Sequence, residues 1–106
     1  MAKKQVKKVS KKVQPYVIVR SHTAGVHAGY LKSKKGDTVS LLKSRRFWQW
    51  SGASLSQVAV SGPAGGTNKF GMTVIQTDIV SPQGFEIAYC TFESMKAIQA
   101  VADWKV

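Results

Sequence analysis

The fold is decided by the longest β-forming stretch of the chain, residues 38–50, which reads TVSLLKSRRFWQW. Val39 and Leu41 alternate with polar residues, as is typical of a strand with one buried side. Leu42 follows Leu41 directly, and the later apolar positions have the other parity. One extra residue in a strand produces such a change. We therefore predict one long strand with a bulge or bend at residues 42–44, where the sheet curves.

Further strands are predicted from short runs of β-forming residues between turn signals. They cover residues 16–20, 26–33, 69–72, 74–80 and 85–90. The second run is expected to pair with the long strand as a hairpin across the turn at residues 34–37. The last two runs are expected to form another hairpin across Pro82-Gln83-Gly84.

Two helices are predicted from N-capping residues that precede apolar residues at helical spacing. Ser54 begins a short helix that ends before Gly62-Pro63, and Thr91 begins a second helix. The apolar residues of the second helix, expected to lie on the sheet, are Phe92, Met95, Ile98 and Ala102.

The predicted fold class is α+β. It comprises a small curved sheet of about five mostly antiparallel strands, open or barrel-like, with two helices. We expect a single domain over residues 15–106, preceded by a flexible Lys-rich arm over residues 1–14.

The net charge of +11 is distributed unevenly along the chain. Residues 1–13 carry +6 and residues 14–77 carry +7, whereas residues 78–106 carry −2. One strongly positive surface is therefore expected. Such a surface attracts polyanions through its long-range field and, for nucleic acid, through release of counterions. The alternative is that the charge only keeps a small protein in solution.

The arm contains six lysines and no acidic residue. On a helix Val6, Val9 and Val13 would share one face, and the lysines would occupy the other. Repulsion between lysines four residues apart and the absence of an N-cap make that helix marginal in free solution. We predict that the arm becomes ordered on a polyanion; the alternative is a solvated tail without function.

The run RRFWQW at residues 45–50 combines cations with aromatic rings. On a regular strand Arg46, Trp48 and Trp50 project from one face, whereas Arg45 and the intervening residues project from the other. Indole rings stack on nucleobases and guanidinium groups bind phosphate, so the first face suits a nucleotide or a single strand. The alternative is that both tryptophans lie in the core.

The residue content argues against catalysis and metal binding. The first 77 residues contain one acidic residue, Asp37, so they cannot supply a pair of carboxylates. Asp37 is also the one acid in this part of the chain that could orient a histidine for catalysis. Cys90 is the single cysteine, and His22 and His27 are the only other soft ligands. We therefore expect no enzyme activity, no catalytic residue, no metal site and no cofactor.

Two kinds of segment are also not expected. The apolar runs are far shorter than the roughly 20 residues of a membrane span, and the basic start is not followed by the apolar stretch of a secretory leader. We therefore expect a cytosolic protein without a membrane partner.

Several residues of the chain resemble the pattern of a known family. They are Arg20, Ala24-Gly25-Val26, Gly29 and Leu31, followed by Arg45-Arg46-Phe47-Trp48-Gln49-Trp50-Ser51-Gly52-Ala53 and Leu55. The pattern R-x-x-x-A-G-V-x-x-G-x-L, then R-R-x-W-x-W-x-G-A, is similar to that of small proteins encoded by tailed bacteriophages and prophages, a domain of unknown function. Phe47 stands where that pattern has an aliphatic residue.

The resemblance implies a phage setting and supplies no activity, so it assigns no catalytic residue to this chain. Small phage proteins of this kind act by binding. They inhibit a host machine or a defence system, sequester a signalling nucleotide, or are packaged with the virion. The resemblance thus implies that the protein is located in the host cytoplasm or the virion.

We predict a non-enzymatic basic protein that binds a phosphate-bearing polyanion, with nucleic acid, DNA or RNA, ranked first. A host protein, a nucleotide and a second copy in a homo-oligomer are left open as partners. The predicted phosphate-binding residues are basic residues of the arm and of the strands: Lys3, Lys4, Lys7, Lys8, Lys11, Lys12, Arg20, Lys32, Lys34, Lys35, Lys43, Arg45 and Arg46. Trp48 and Trp50 are predicted to stack on bases or to contact a partner.

Overall fold

The computed structural model describes residues 14–22, 24–51, 54–65 and 67–104. Within these ranges the protein has six strands and two helices. They are β1 (Tyr16–Ser21), β2 (Gly25–Lys35), β3 (Thr38–Gln49), α1 (Leu55–Ser61), β4 (Lys69–Phe70), β5 (Val74–Val80), β6 (Phe85–Tyr89) and α2 (Phe92–Ala100). The predicted α+β class is confirmed. The predicted arm, apart from Gln14, lies outside the described residues.

The strands form one unclosed sheet in the order β4-β3-β2-β1-β6. β5 pairs antiparallel with the first part of β3, from Thr38↔Val80 to Ser44↔Val74, while β4 pairs with the end of β3. β6 pairs antiparallel with β1 at the opposite edge. The predicted hairpin of residues 74–80 with 85–90 is therefore wrong. A short turn joins β5 to β6, but β5 pairs with β3 and β6 pairs with β1, at opposite edges of the sheet. Because the turn is short, the sheet must curl to bring these two edges together.

The bulge predicted in the long strand is confirmed. Ala28 pairs with Arg45 and Tyr30 pairs with Leu42, so one residue of β2 lies opposite two residues of β3. Lys43 has a φ of 50°, in the left-handed region that residues other than glycine rarely adopt. The bulge resets the alternation of β3 and so determines which of its later side chains face the helices.

A glycine permits the close approach of β2 to β3 at this bulge. A Cβ atom on Gly29 would lie 2.7 Å from the Cβ and 2.9 Å from the Cα of Ser44. Ser44 is buried, and its hydroxyl shares a hydrogen bond of 2.6 Å with the hydroxyl of Thr77 in β5. At the bulge, β3 therefore contacts β2 through Gly29 on one side and β5 through Thr77 on the other.

β1 is buried on both faces because the sheet has two cores. Tyr16 and Ile18 pack with residues of α1 and α2, on the side that we call the helix face. Val17 and Val19 pack with residues of β3 and β5, such as Ile79, on the side that we call the inner face. Since β2 and β3 separate β1 from β5 in the sheet, contact between β1 and β5 residues requires a curled sheet.

Both helices begin where the sequence predicts. The Ser54 side chain accepts a hydrogen bond from the Gln57 amide, and the Thr91 side chain accepts one from the Ser94 amide. These bonds satisfy amides that have no partner within the first turn.

The predicted orientation of α2 is only partly correct. Ile98 is buried and Met95 packs partly against the helix-side core, but Phe92 is 67% exposed, and Ala102 lies beyond the end of the helix. The reason is that α2 packs against α1 as well as the sheet: the Ser94 hydroxyl donates to the Val58 carbonyl oxygen at 2.6 Å. The buried face is therefore rotated toward Ser94 and Ile98.

Across the described ranges, neither helix combines the length and the apolar character that crossing a membrane requires.

Candidate functional site

Arg45 lies on the helix face, where its side chain is 2% exposed. Its Nε donates to the Gly71 carbonyl oxygen at 2.9 Å, and its Nη1 donates to two carbonyl oxygens at the end of α2, at 2.9 and 2.8 Å. Its Nη2 donates to the Phe70 carbonyl oxygen at 3.2 Å and to Asp103 Oδ1 at 3.3 Å. These bonds use all the donors of a guanidinium group. The Arg45 guanidinium is therefore committed to the fold and has no free donor for the phosphate that the sequence analysis assigns to it.

The surroundings of Arg45 explain why a charge is tolerated there. A cation at the end of α2 interacts favourably with the negative end of the helix dipole. Burial lowers the pKa of Arg45, and the Asp103 carboxylate partly opposes that effect. Arg45 therefore links β3 to the segment after β4 and to the end of α2.

Arg46 and Trp48 project from the opposite side of β3. The Arg46 guanidinium carbon lies 4.2 Å from the centre of the Trp48 ring, a cation–π contact, and Trp48 is 48% exposed. Gly25 provides the space for Arg46, since a Cβ atom there would lie 2.6 Å from Arg46 Nη2. The predicted placement of Arg46 and Trp48 on one face is confirmed.

Two residues that the sequence analysis did not select complete this group. Trp104 lies beside Trp48, with ring centres 6.0 Å apart, and Lys69 Nζ lies 5.3 Å from the centre of the Trp104 ring. The Trp104 amide donates to the Phe70 carbonyl oxygen at 2.8 Å, which fixes the C-terminal segment beside β4. We call Arg46, Trp48, Lys69 and Trp104 the indole cluster.

Trp50 does not belong to the indole cluster. β3 ends at Gln49, after a register irregularity in its pairing with β4. Trp50 then packs against the helix-side core, with its ring centre 6.3 Å from that of Phe47. The predicted row of Arg46, Trp48 and Trp50 is therefore wrong at its last member, because the regular alternation does not continue past the strand end.

A buried histidine lies next to the cluster. His27 pairs with Arg46 across β2 and β3 and is 9% exposed. Neither His27 Nδ1 nor Arg46 Nε, both buried atoms, has a hydrogen-bond partner among the described residues. Burial and the neighbouring Arg46 lower the pKa of His27 to about 4. The imidazole is therefore neutral near pH 7, and Arg46 supplies the charge.

The lysines of the β2–β3 hairpin are exposed. We call Lys32, Lys34, Lys35 and Lys43 the lysine strip. The first lysine of the strip, Lys32, lies near the point where the chain enters the described domain, because the amide of the neighbouring Leu31 donates to the Pro15 carbonyl oxygen at 2.8 Å. The arm lysines, which precede this point, are outside the described residues.

Few of the cations are neutralised by acids. Within the described part of the chain there are two ion pairs, Arg20–Glu86 at 3.5 Å and Arg45–Asp103 at 3.3 Å. Arg20 is exposed but paired, so it is a weaker candidate for phosphate than the sequence suggested. The lysine strip, Arg46 and Lys69 have no acidic partner within 4.0 Å in the ranges that the structure covers. These cations are therefore open to an external anion.

The thiol of Cys90 is partly buried. Burial raises the pKa of the Cys90 thiol, which disfavours the thiolate that would act as a nucleophile. In the described ranges no three His, Cys, Asp or Glu side chains come close enough together to hold a metal ion.

The comparisons with known proteins give a family but no activity. Neither the curated proteins nor the solved structures yielded a match to this chain. The model of one family, described as Domain of unknown function (DUF6948), matches residues 14–98. The match covers most of the described domain, including β1 to β6, and excludes residues 1–13 and Trp104. The chain therefore belongs to the DUF6948 family.

Proposed function

We propose that the protein is a non-enzymatic binder of nucleic acid, held mainly by contacts to phosphate. The observation that carries the proposal is a set of cations without an acidic partner within 4.0 Å in the described ranges, namely the lysine strip, Arg46 and Lys69. Unpaired surface cations that replace condensed counterions supply most of the affinity of a protein for a nucleic-acid backbone.

The point at which the described domain begins supports the same proposal. The six lysines of the arm precede Pro15, which is hydrogen-bonded to β2 next to the first lysine of the lysine strip. Charge on the arm and charge on the strip can therefore act on one ligand. In the phage setting that the resemblance implies, that ligand would be phage or host nucleic acid in the host cytoplasm or the virion.

A salt series tests the proposal. Fluorescence anisotropy would measure the affinity of the full chain for labelled DNA and RNA, each single-stranded and duplex. We expect the logarithm of the affinity to fall linearly with the logarithm of the salt concentration. Replacing all six arm lysines by glutamine should reduce the slope by up to about 5, and Lys34→Gln should reduce it by about 1.

Lys96→Gln is the matched control for Lys34→Gln. Lys96 is also an exposed lysine, but it lies on α2, over the ring of Phe92 at 5.2 Å. We expect this variant to keep the slope of the original protein. Equal effects of the two substitutions would mean that only net charge matters, and a flat salt dependence of the unsubstituted chain would refute nucleic-acid binding.

Self-association is a second candidate function, favoured by the edge formed by β5. Met72, Val74 and Ile75 are 65%, 45% and 86% exposed, although they are large and apolar. β5 contains neither lysine nor proline, the residues that commonly protect edge strands from pairing. Strand-to-strand pairing of two copies would pair the free backbone groups of this edge and bring apolar side chains of the two copies together.

Light scattering over a range of protein concentrations tests the second candidate. If β5 pairs between copies, the mass should rise with concentration, and Ile75→Lys should keep the protein monomeric. A monomer of unchanged mass at all concentrations would exclude this candidate and leave the first one intact.

A further inference from the structure

The indole cluster differs from the lysine strip because it combines cations with aromatic rings, of which Trp48 is exposed and Trp104 is partly buried. We propose that Arg46, Trp48, Lys69 and Trp104 form a stacking subsite for an unpaired nucleobase and its adjoining phosphate. The subsite rests on the proposed function and gives it a direction: the protein should prefer single-stranded nucleic acid to a duplex.

The geometry provides both parts of such a subsite. Trp48 has nearly half of its surface exposed, and Trp104 lies 6.0 Å away at an interplanar angle of 58°. The two rings pack against each other at this tilt, and the exposed part of the Trp48 ring is the surface on which a base would stack. Arg46 lies against Trp48 and Lys69 lies over Trp104, so a cation accompanies each ring.

The charges around the rings favour an anionic ligand. Asp103, the residue before Trp104, accepts a hydrogen bond from Arg45, which lies on the helix face. His27 is neutral near pH 7 and adds no positive charge of its own. Neither Arg46 nor Lys69 forms an ion pair in the described ranges. A nucleotide unit, with an aromatic base and one negative phosphate, matches rings flanked by unpaired cations.

The same geometry disfavours a base pair as the ligand. Bases in a duplex are stacked on each other and expose only their edges, whereas side-chain stacking requires a base that is out of the stack. Stacking on aromatic side chains depends little on base identity, because every base has a π face. Strand separation, rather than sequence, should therefore determine the affinity contributed by the subsite.

The test compares three ligands at one salt concentration: a single strand, its duplex, and a strand of the same length without bases. Full-length Trp48→Ala should weaken binding to the single strand by about tenfold and leave the other two affinities unchanged. Trp48→Phe keeps a ring and should recover part of the loss. Phe92→Ala is the matched control, because Phe92 is 67% exposed with Lys96 over its ring, on α2.

The outcomes separate this proposal from the one on which it rests. If Trp48→Ala behaves like Phe92→Ala on the single strand, the stacking subsite is wrong while salt-dependent binding can still hold. If Trp48→Ala weakens all three ligands equally, the effect does not come from a base and the subsite is again wrong. If the original protein binds no nucleic acid, both proposals fail.

Discussion

Arg45 and Arg46 are neighbours in the chain, yet they occupy opposite environments. The Arg45 side chain is 2% exposed and donates five hydrogen bonds to oxygens of the protein. Arg46 rests on Trp48, with no acidic partner within 4.0 Å in the described ranges. In a strand, adjacent side chains point to opposite faces, so one arginine can hold the fold together while the next remains available to a ligand.

The largest effect is expected for loss of Arg45. Arg45→Met should lower the free energy of unfolding by about 3 to 5 kcal/mol, because it leaves buried carbonyl oxygens without donors. Arg46→Met should lower it by less than about 1 kcal/mol, the usual strength of a partly exposed cation–π contact. Urea unfolding of both variants measures the difference.

The two substitutions are matched, since each removes one positive charge from adjacent positions of β3. Arg46→Met should nevertheless weaken binding to single-stranded nucleic acid. Equal losses of stability in the two variants would contradict the division of roles between the two faces.

The next largest effect is a dependence of stability on pH through His27. Its pKa is lowered to about 4 in the folded state, against about 6.5 when unfolded. The unfolded chain therefore binds the proton more readily between these values. The contribution of the neutral His27 to the free energy of unfolding is fully present above about pH 6.5 and is lost as the pH falls toward about 4. Between about pH 7 and pH 4.5 this group should account for a loss of about 2 kcal/mol.

Urea unfolding of His27→Gln and of His22→Gln isolates this contribution from that of the carboxylates. His22 is exposed, and His22→Gln is the control for the loss of a histidine. His27→Gln should flatten the pH dependence of the stability over the same range. An unchanged pH dependence in His27→Gln would show that the buried imidazole is not held neutral by its surroundings.

Local patterns were sufficient to predict most of the elements. The caps at Ser54 and Thr91 follow from side chains that satisfy nearby amides, and the bulge follows from the change of parity after Leu41. These features depend on residues close together in the chain. The alternation also placed Arg45 and Arg46 on opposite faces, but it could not tell which face the helices cover.

Contacts between distant residues were beyond this reasoning. β5 and β6 are joined by a turn of the kind that usually makes a hairpin, yet their partners are β3 and β1. Lys69 and Trp104 reach the indole cluster only because the C-terminal segment returns to Phe70. No spacing within the chain indicates that return, so half of the cluster could not be found from the sequence.

A smaller effect is expected at Gly25, which lies against Arg46. Gly25→Ala should lower the free energy of unfolding by about 1 kcal/mol, because its φ of 88° disfavours a side chain. The new Cβ would also displace the Arg46 guanidinium from Trp48, which should alter the indole fluorescence. Gly36→Ala is the control: its φ is 57°, but a Cβ there meets nothing within 4 Å. If both variants leave the fluorescence unchanged, Gly25 does not position Arg46.

The smallest effect is expected at Lys43, whose bulge determines which arginine faces the helices. Lys43→Gly should raise the free energy of unfolding by about 0.5 kcal/mol, because glycine relieves the strain at φ 50° but makes the unfolded chain more flexible. Lys35→Gly removes the same side chain from the same hairpin without a positive φ, so it should lower the stability by a similar amount. Opposite signs in urea unfolding would identify the backbone at Lys43 as strained. A loss in both would mean that the close contact of Gly29 with Ser44, rather than the conformation of Lys43, determines the bulge and with it the burial of Arg45.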